Sequence, residues 1–229
     1  MIKDPSSTPM DPQPNPVRSN RELKRAARAA LQGNWPPAII CIIVYLTVTY
    51  LVIGPEVLGT ALRVNPSFMT ALGIGTPVVE LLLFFPLSVG CVNTFRALYA
   101  EQDTRLTRNM FRMGFCKGYL HKVWTLFLMG LLIVLGTFCF IIPGIILAYA
   151  YSMTAYLLED RPDLSARETL RASRLLMRGH KFDLFWLQLS FIGWLLLSFL
   201  TLGIGLLWLV PYMETAQAAF YGDLTQDRA

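Results

Sequence analysis

Two carboxylates stand alone in long uncharged stretches. Glu80 is the single charge between Val64 and Phe95, and Glu214 the single charge between Leu184 and Gly222. An ionised side chain placed inside a hydrocarbon layer costs several kcal/mol unless it is compensated. Each glutamate is therefore a candidate intramembrane functional residue that binds a cation or a proton. The alternative is a structural carboxylate, with Glu214 hydrogen-bonded to polar neighbours such as Asn93, Thr215 or Gln217 and Glu80 near the outer end of its helix.

Constellations for catalysis are not found. His121 and His180 each stand beside a lysine at the edge of an apolar run, and no HExxH, P-loop or strand-linked GxGxxG accompanies them. No aspartate lies inside an apolar run. Cys41, Cys91, Cys116 and Cys139 are scattered singly, without the spacing of a zinc or redox site, and are expected to be reduced thiols. The reading is a protein that is not an enzyme and has no cofactor and no metal.

The other residues with chemical potential are cations in rows. Arg21, Lys24, Arg25 and Arg28 share one face of a helical pattern whose other face is Leu23, Ala26, Ala27, Ala30 and Leu31. Arg105, Arg108 and Arg112 adjoin Leu106, Met110 and Met113. Arg167, Arg171, Arg174 and Arg178 follow at spacings of four, three and four, and lead to His180 and Lys181. Net charge +5 with pI about 9.1 would suit nucleic acid, but these residues flank apolar runs, so no nucleic acid is expected. They are candidate contacts for anionic lipid headgroups at a cytoplasmic membrane face, or for an unknown membrane protein partner. The competing view is that they only satisfy topology rules and cover the ends of a bundle. His180, Lys181 and Asp183 carry the same alternative: a phosphate-binding group, or an anchor that pairs locally.

The elements that position these residues follow from length. A helix rises about 1.5 Å per residue, so about 20 apolar residues cross a hydrocarbon layer of roughly 30 Å. Trp35–Ile53 and Val123–Leu158 carry no charge at all. The second of these is too long for one crossing, and Pro143-Gly144 is expected to break it into a hairpin. Leu184–Gly222 divides in the same way at Thr201-Leu-Gly203-Ile-Gly205, and Gly54-Pro55 through Pro66 separates the first two spans. Hairpins place all three basic segments on one side, which the positive-inside rule makes the cytoplasm. The fold expected is all-α: a polytopic membrane helix bundle of six transmembrane helices in three hairpins, each preceded by a basic amphipathic cytoplasmic helix.

The domain map is then a disordered Pro-rich cytoplasmic tail over 1–18, a single membrane domain over 19–222 and a cytoplasmic tail over 223–229. Within the domain the pairs are amphipathic 19–33 with hairpin 35–96, amphipathic 104–118 with hairpin 120–158, and amphipathic 165–179 with hairpin 183–222. Ser19-Asn-Arg-Glu22 and Ser165-Ala-Arg-Glu168 read as capping boxes. Gly33, Gly118 and Gly179 punctuate the three basic segments, as expected for left-handed helix ends. His121-Lys122 matches His180-Lys181, and Tyr151-Ser-Met-Thr154-Ala155 matches Tyr212-Met-Glu-Thr215-Ala216, which points to related units.

Over roughly Tyr119 to Tyr221 the sequence resembles a known family. The words that carry it are Phe140-Ile-Ile-Pro-Gly-Ile-Ile146, Met177-Arg-Gly-His-Lys181, Phe182-Asp-Leu-Phe-Trp186 and Trp208-Leu-Val-Pro-Tyr212. The chain is similar there to the bacterial integral-membrane family called domain of unknown function 975. The resemblance implies a bacterial multi-pass membrane protein and transfers no activity and no site residues; the charge bias, with six spans, puts both termini on the cytoplasmic side of the plasma membrane. Two functions compete on the residues: a non-enzymatic component that organises lipid or holds a partner, and a small transporter or lipid translocator using Glu80 and Glu214. A continuous polar cavity reaching either glutamate would favour the second.

Overall fold

The structure, a computed structural model, describes residues 17–61, 66–116 and 118–226, with side chains left aside at 52–78, 80, 116, 139 and 226. The described residues form helices joined by turns and short connections, without a strand. The expected disordered tail lies outside the described residues except for Val17 and Arg18.

The first helix, α1 (Asn20–Leu31), starts as its sequence requires. Ser19 Oγ accepts the Glu22 N–H at 3.4 Å while the Glu22 carboxylate accepts the Ser19 N–H at 2.8 Å, so two orphan donors are satisfied reciprocally. Leu23, Ala27, Ala30 and Leu31 are buried, whereas Arg21, Arg25 and Arg28 are exposed. Gly33 at φ +83° then lets the chain turn by 95° into α2 (Trp35–Ala61). The separation expected from Gly54-Pro55 through Pro66 falls at the far end of that segment: α2 continues through Pro55 to Ala61, and the next helix opens at Pro66. A proline removes one intrahelical donor, which a helix that is otherwise continuous tolerates.

A single helix, α3 (Pro66–Glu101), follows. It packs on α4 (Leu106–Phe111) and on the π-helical turn Arg112–Cys116 that prolongs α4. Leu106, Met110 and Met113 are buried there and Arg105, Arg108 and Arg112 exposed, the two-faced pattern read from the sequence. Gly118 at φ +61° leads into α5 (Tyr119–Cys139).

Next come α6 (Ile141–Ala150) and α7 (Thr154–Asp160). The break between α5 and α6 falls at Phe140, whose φ −161° and ψ 146° are extended, three residues ahead of the proline credited with it. Pro143 sits in the first turn of α6, where a missing N–H costs nothing. A Cβ on Gly136 would come within 2.5 Å of Leu147 Cδ1, and one on Gly144 would overlap Thr137, so α5 and α6 close on each other across the turn.

The remaining helices are α8 (Ala166–Leu176), α9 (Lys181–Leu189), α10 (Ile192–Leu200) and α11 (Leu206–Gln226). The break between α10 and α11 lies at Thr201–Gly205 as expected, with Leu202 at φ +53° and Gly203 at φ +86°. The helix α11 runs on to Gln226 through the start of the expected tail and keeps Pro211 in its interior.

Four stretches of the described residues are long and apolar enough to cross a membrane: Leu81–Glu101, Tyr119–Phe138, Ile141–Asp160 and Lys181–Leu200. The bent pair α1 with α2 raises the number to five, against the six expected. The helix α11 falls outside this set because Glu214, Gln217 and Asp223 interrupt its apolar run. The outer surface agrees with a lipid environment: Phe138, Leu200 and Leu202 are 90%, 81% and 95% exposed, an apolar exposure that water would not favour.

Candidate functional site

The cations do not gather in one place. The helix α1 packs on α11 and α3, α4 packs on α3 and α2, and α8 packs on α5 and α7. A pocket lined by several of the candidate cations lies at the elbow between α8 and α9, and its construction is local. Ser165 caps α8 through a second reciprocal box, with Ser165 N–H donating to Glu168 at 2.9 Å. Those hydrogen bonds hold the Glu168 carboxyl below the usual glutamate range, so it is committed to the cap as an anion. Ala166, Thr169, Leu170, Ser173 and Leu176 turn inward. The arginine spacing of four, three and four then leaves Arg167, Arg171, Arg174 and Arg178 on the exposed side.

Gly179 at φ +90° reverses the chain so that Lys181 opens α9 beside the end of α8. The result is a cavity of about 400 Å³ lined by Arg174, Leu175, Arg178, Gly179, Lys181 and Phe182. Arg174 is fixed: its guanidinium donates to Tyr151 Oη at 2.5 Å and lies 5.5 Å from that ring's centre. No carboxylate among the described residues pairs with Arg174, Arg178 or Lys181. Asp183, two residues after Lys181, is taken by His180 Nδ1 at 2.9 Å. Phe182, 75% exposed, forms an apolar rim. Three uncompensated cations against an apolar edge suit an anionic group attached to hydrocarbon.

The matching word in the preceding unit behaves differently. Lys122 is 2% exposed and donates to Glu159 at 2.8 Å and to the Met113 carbonyl. Arg96 pairs with Asp160 at 2.5 Å, and Asp160 also accepts from Tyr221 Oη at 2.5 Å. The His-Lys motif is thus neutralised internally in one unit and left open in the other. The sequence reading took Lys122 as part of a repeated His-Lys word and gave no site role to Arg96, Glu159 or Asp160. The available signal was an acid pair directly after an apolar run, facing basic segments on either side.

Lys24 also departs from its expected role. It is half-buried, donates to the Ser190 carbonyl at 2.8 Å and sits 4.2 Å from the centre of the Phe191 ring. Burial and then the neighbouring Arg28 lower its pKa from the ordinary lysine value. Arg18 joins Asp223 in an ion pair of 2.5 Å and donates to Tyr99 Oη at 2.8 Å, so the first described residues meet the end of α11.

Glu214 is half-buried in α11 and finds none of the partners expected for it. Thr215 donates to the Pro211 carbonyl at 2.7 Å, and the Asn93 amide donates to the carbonyls of Val89 at 3.0 Å and Ala155 at 2.7 Å. The helix that carries Glu214 packs on α3 and α2, and Tyr221, about two turns further along it, stacks on Tyr156 of α7 with ring centres 4.6 Å apart. Tyr156 Oη, Thr154 Oγ1 and Asn93 Oδ1 are buried with no hydrogen-bond partner. Glu80 belongs to α3, and its side chain lies outside the described residues.

These features fall largely in one stretch of chain. Residues 122–228 match the family described as Protein of unknown function (DUF975). The match confirms the resemblance seen in the sequence. It takes in most of α5 and all of α6 to α11, and with them the elbow pocket, Glu159, Asp160 and Glu214. Neither curated proteins nor solved structures gave a match.

Proposed function

We propose that this is a non-enzymatic, multi-pass protein of the bacterial plasma membrane that holds anionic lipid headgroups at the cytoplasmic face. The observation that carries the reading is the α8–α9 elbow, where Arg174, Arg178 and Lys181 line one cavity without a carboxylate partner and beside the exposed Phe182. Amphipathic basic helices favour anionic surfaces by about 1 kcal/mol per Lys or Arg. The pairing of Arg18 with Asp223 supports both termini on the cytoplasmic side. The same surface would hold a membrane protein partner that presents an acidic segment, which cross-linking in native membranes would capture.

Lipid analysis of purified protein tests the reading. The triple change Arg174→Gln, Arg178→Gln and Lys181→Gln is expected to lower phosphatidylglycerol affinity at least about tenfold, since 1.4 kcal/mol corresponds to a factor of ten. Removing Arg105, Arg108 and Arg112 instead should have a smaller effect, because those exposed cations are not among the residues that line the elbow. Equal losses from the two variants would reduce the pocket to bulk surface charge.

A second reading rests on Glu214. A carboxylate without a hydrogen-bond partner on α11, with Asn93 Oδ1 unsatisfied on α3, on which α11 packs, and Thr154 Oγ1 and Tyr156 Oη unsatisfied on α7, whose Tyr156 stacks on Tyr221 of α11, supports a small transporter that takes a proton or cation. Glu214→Gln is expected to fold normally and to abolish proton flux into vesicles carrying an entrapped pH dye. Unchanged flux would leave Glu214 as a structural residue.

A further inference from the structure

A second cavity, distinct from the elbow, runs along the last helix pair. It measures about 330 Å³, and its walls are Trp194 and Leu197 from α10 with Trp208 and Leu209 from α11. The three lining hydroxyls are already used: Ser198 donates to the Trp194 carbonyl at 2.8 Å, Thr201 to the Ser198 carbonyl at 3.0 Å and Tyr212 to the Lys24 carbonyl at 3.3 Å. The walls therefore offer hydrocarbon and indole and no free hydroxyl donor. From Trp194 to Thr201 is seven residues, or about 10 Å of helix rise, two-thirds of a leaflet roughly 15 Å deep.

One end of this groove is charged. Arg28 of α1 lines it there, 5.7 Å from the centre of the Tyr212 ring, with Trp35 beside it. Arg28 has no carboxylate partner among the described residues. Its neighbour Lys24 is spent on Ser190 and Phe191, so Arg28 is the cation left at the mouth. We propose that the α10–α11 groove binds one anionic phospholipid, with an acyl chain between the tryptophans and the phosphate on Arg28. A second copy of this chain seated on the groove would cover Arg28 with an apolar face and leave its guanidinium unpaired, which is costly. A phospholipid satisfies both ends of the cavity. The proposal rests on the reading of a membrane protein that engages anionic lipid, but it uses residues separate from the elbow.

The tryptophans make the groove directly testable. Of the five in the chain, Trp35, Trp194 and Trp208 line it and Trp124 and Trp186 do not. The full-length Trp124→Phe/Trp186→Phe protein is placed in phosphatidylcholine nanodiscs containing a small fraction of brominated phosphatidylglycerol or brominated phosphatidylcholine. Quenching by the brominated phosphatidylglycerol should exceed its share of the lipid several-fold, and brominated phosphatidylcholine should quench in proportion to its share. Arg28→Gln should bring the first down to the second, a change of about fivefold for one cation, while Arg28→Lys should retain the preference. The elbow triple variant should leave the quenching intact. Proportional quenching by both lipids overturns the groove even if the elbow still retains phosphatidylglycerol. Protection of the indoles only in discs holding two copies overturns it in favour of self-association.

Discussion

Replacing Glu159 with Ala is expected to destabilise the fold by about 3–5 kcal/mol, the cost of leaving a buried cation without its counter-charge. Lys122 is 2% exposed, and its ammonium has Glu159 as its only carboxylate partner among the described residues. The carbonyl of Met113 cannot neutralise it. The pair joins α5 to α7, and Lys122 also ties α5 to the π-helical turn through the Met113 carbonyl, so its loss should loosen three elements together. The double replacement Lys122→Met/Glu159→Leu removes both charges and should recover most of the stability. Unfolding in a detergent series measures both proteins. A Glu159→Ala protein as stable as the original would show that Lys122 does not depend on this carboxylate.

Gly90→Ala carries the second large effect. A Cβ at Gly90 would overlap the Met110 carbonyl and lie 2.9 Å from the Gly114 nitrogen, both backbone atoms that cannot swing aside. A Cβ at Gly114 would in turn lie 2.7 Å from the Pro86 carbonyl. The helix α3 and the α4 segment thus touch backbone to backbone, and a single methyl must push them apart. Overpacking of this kind costs about 1–3 kcal/mol and more where the backbone must move, so about 3 kcal/mol is expected. Gly130→Ala is the control: no atom lies within 4 Å of its Cβ position, and alanine should add about 0.5–1 kcal/mol of helix stability. If both changes prove equally harmless in thermal unfolding, the close approach of α3 to α4 is wrong.

The parts of this architecture legible in the sequence are those made by neighbours in the chain. Both capping boxes join residues three apart, and the glycines at 33, 118 and 179 adopt positive φ because a helix end needs it locally. The turn at Thr201–Gly205 is of the same kind. The inward and outward faces of α1 and α8 also follow from spacing alone. What stayed hidden depends on partners far away in sequence. Lys122 and Glu159 are 37 residues apart, and nothing near Lys122 distinguishes it from Lys181, which opens onto the elbow. Pro55 reads as a breaker, yet α2 passes through it, and Pro143 marks a break that occurs three residues earlier. Proline signals a weak point in a helix; neighbouring helices determine whether the chain bends there. At the candidate site, the arginine row was visible, but its selection of Arg174 and Arg178 over Arg167 and Arg171 comes from Tyr151 and the Gly179 reversal.

The reading of the elbow as a headgroup pocket requires its apolar rim to lie at the membrane interface. The depth of a nitroxide placed at Phe182, in protein whose native cysteines are replaced by serine, measures this directly by relaxation with oxygen and a water-soluble nickel chelate. A label at 182 is expected about 5–10 Å into the headgroup and acyl boundary, with one at Arg171 in water. A label at 182 as open to the nickel chelate as the label at 171 would contradict a lipid-facing pocket.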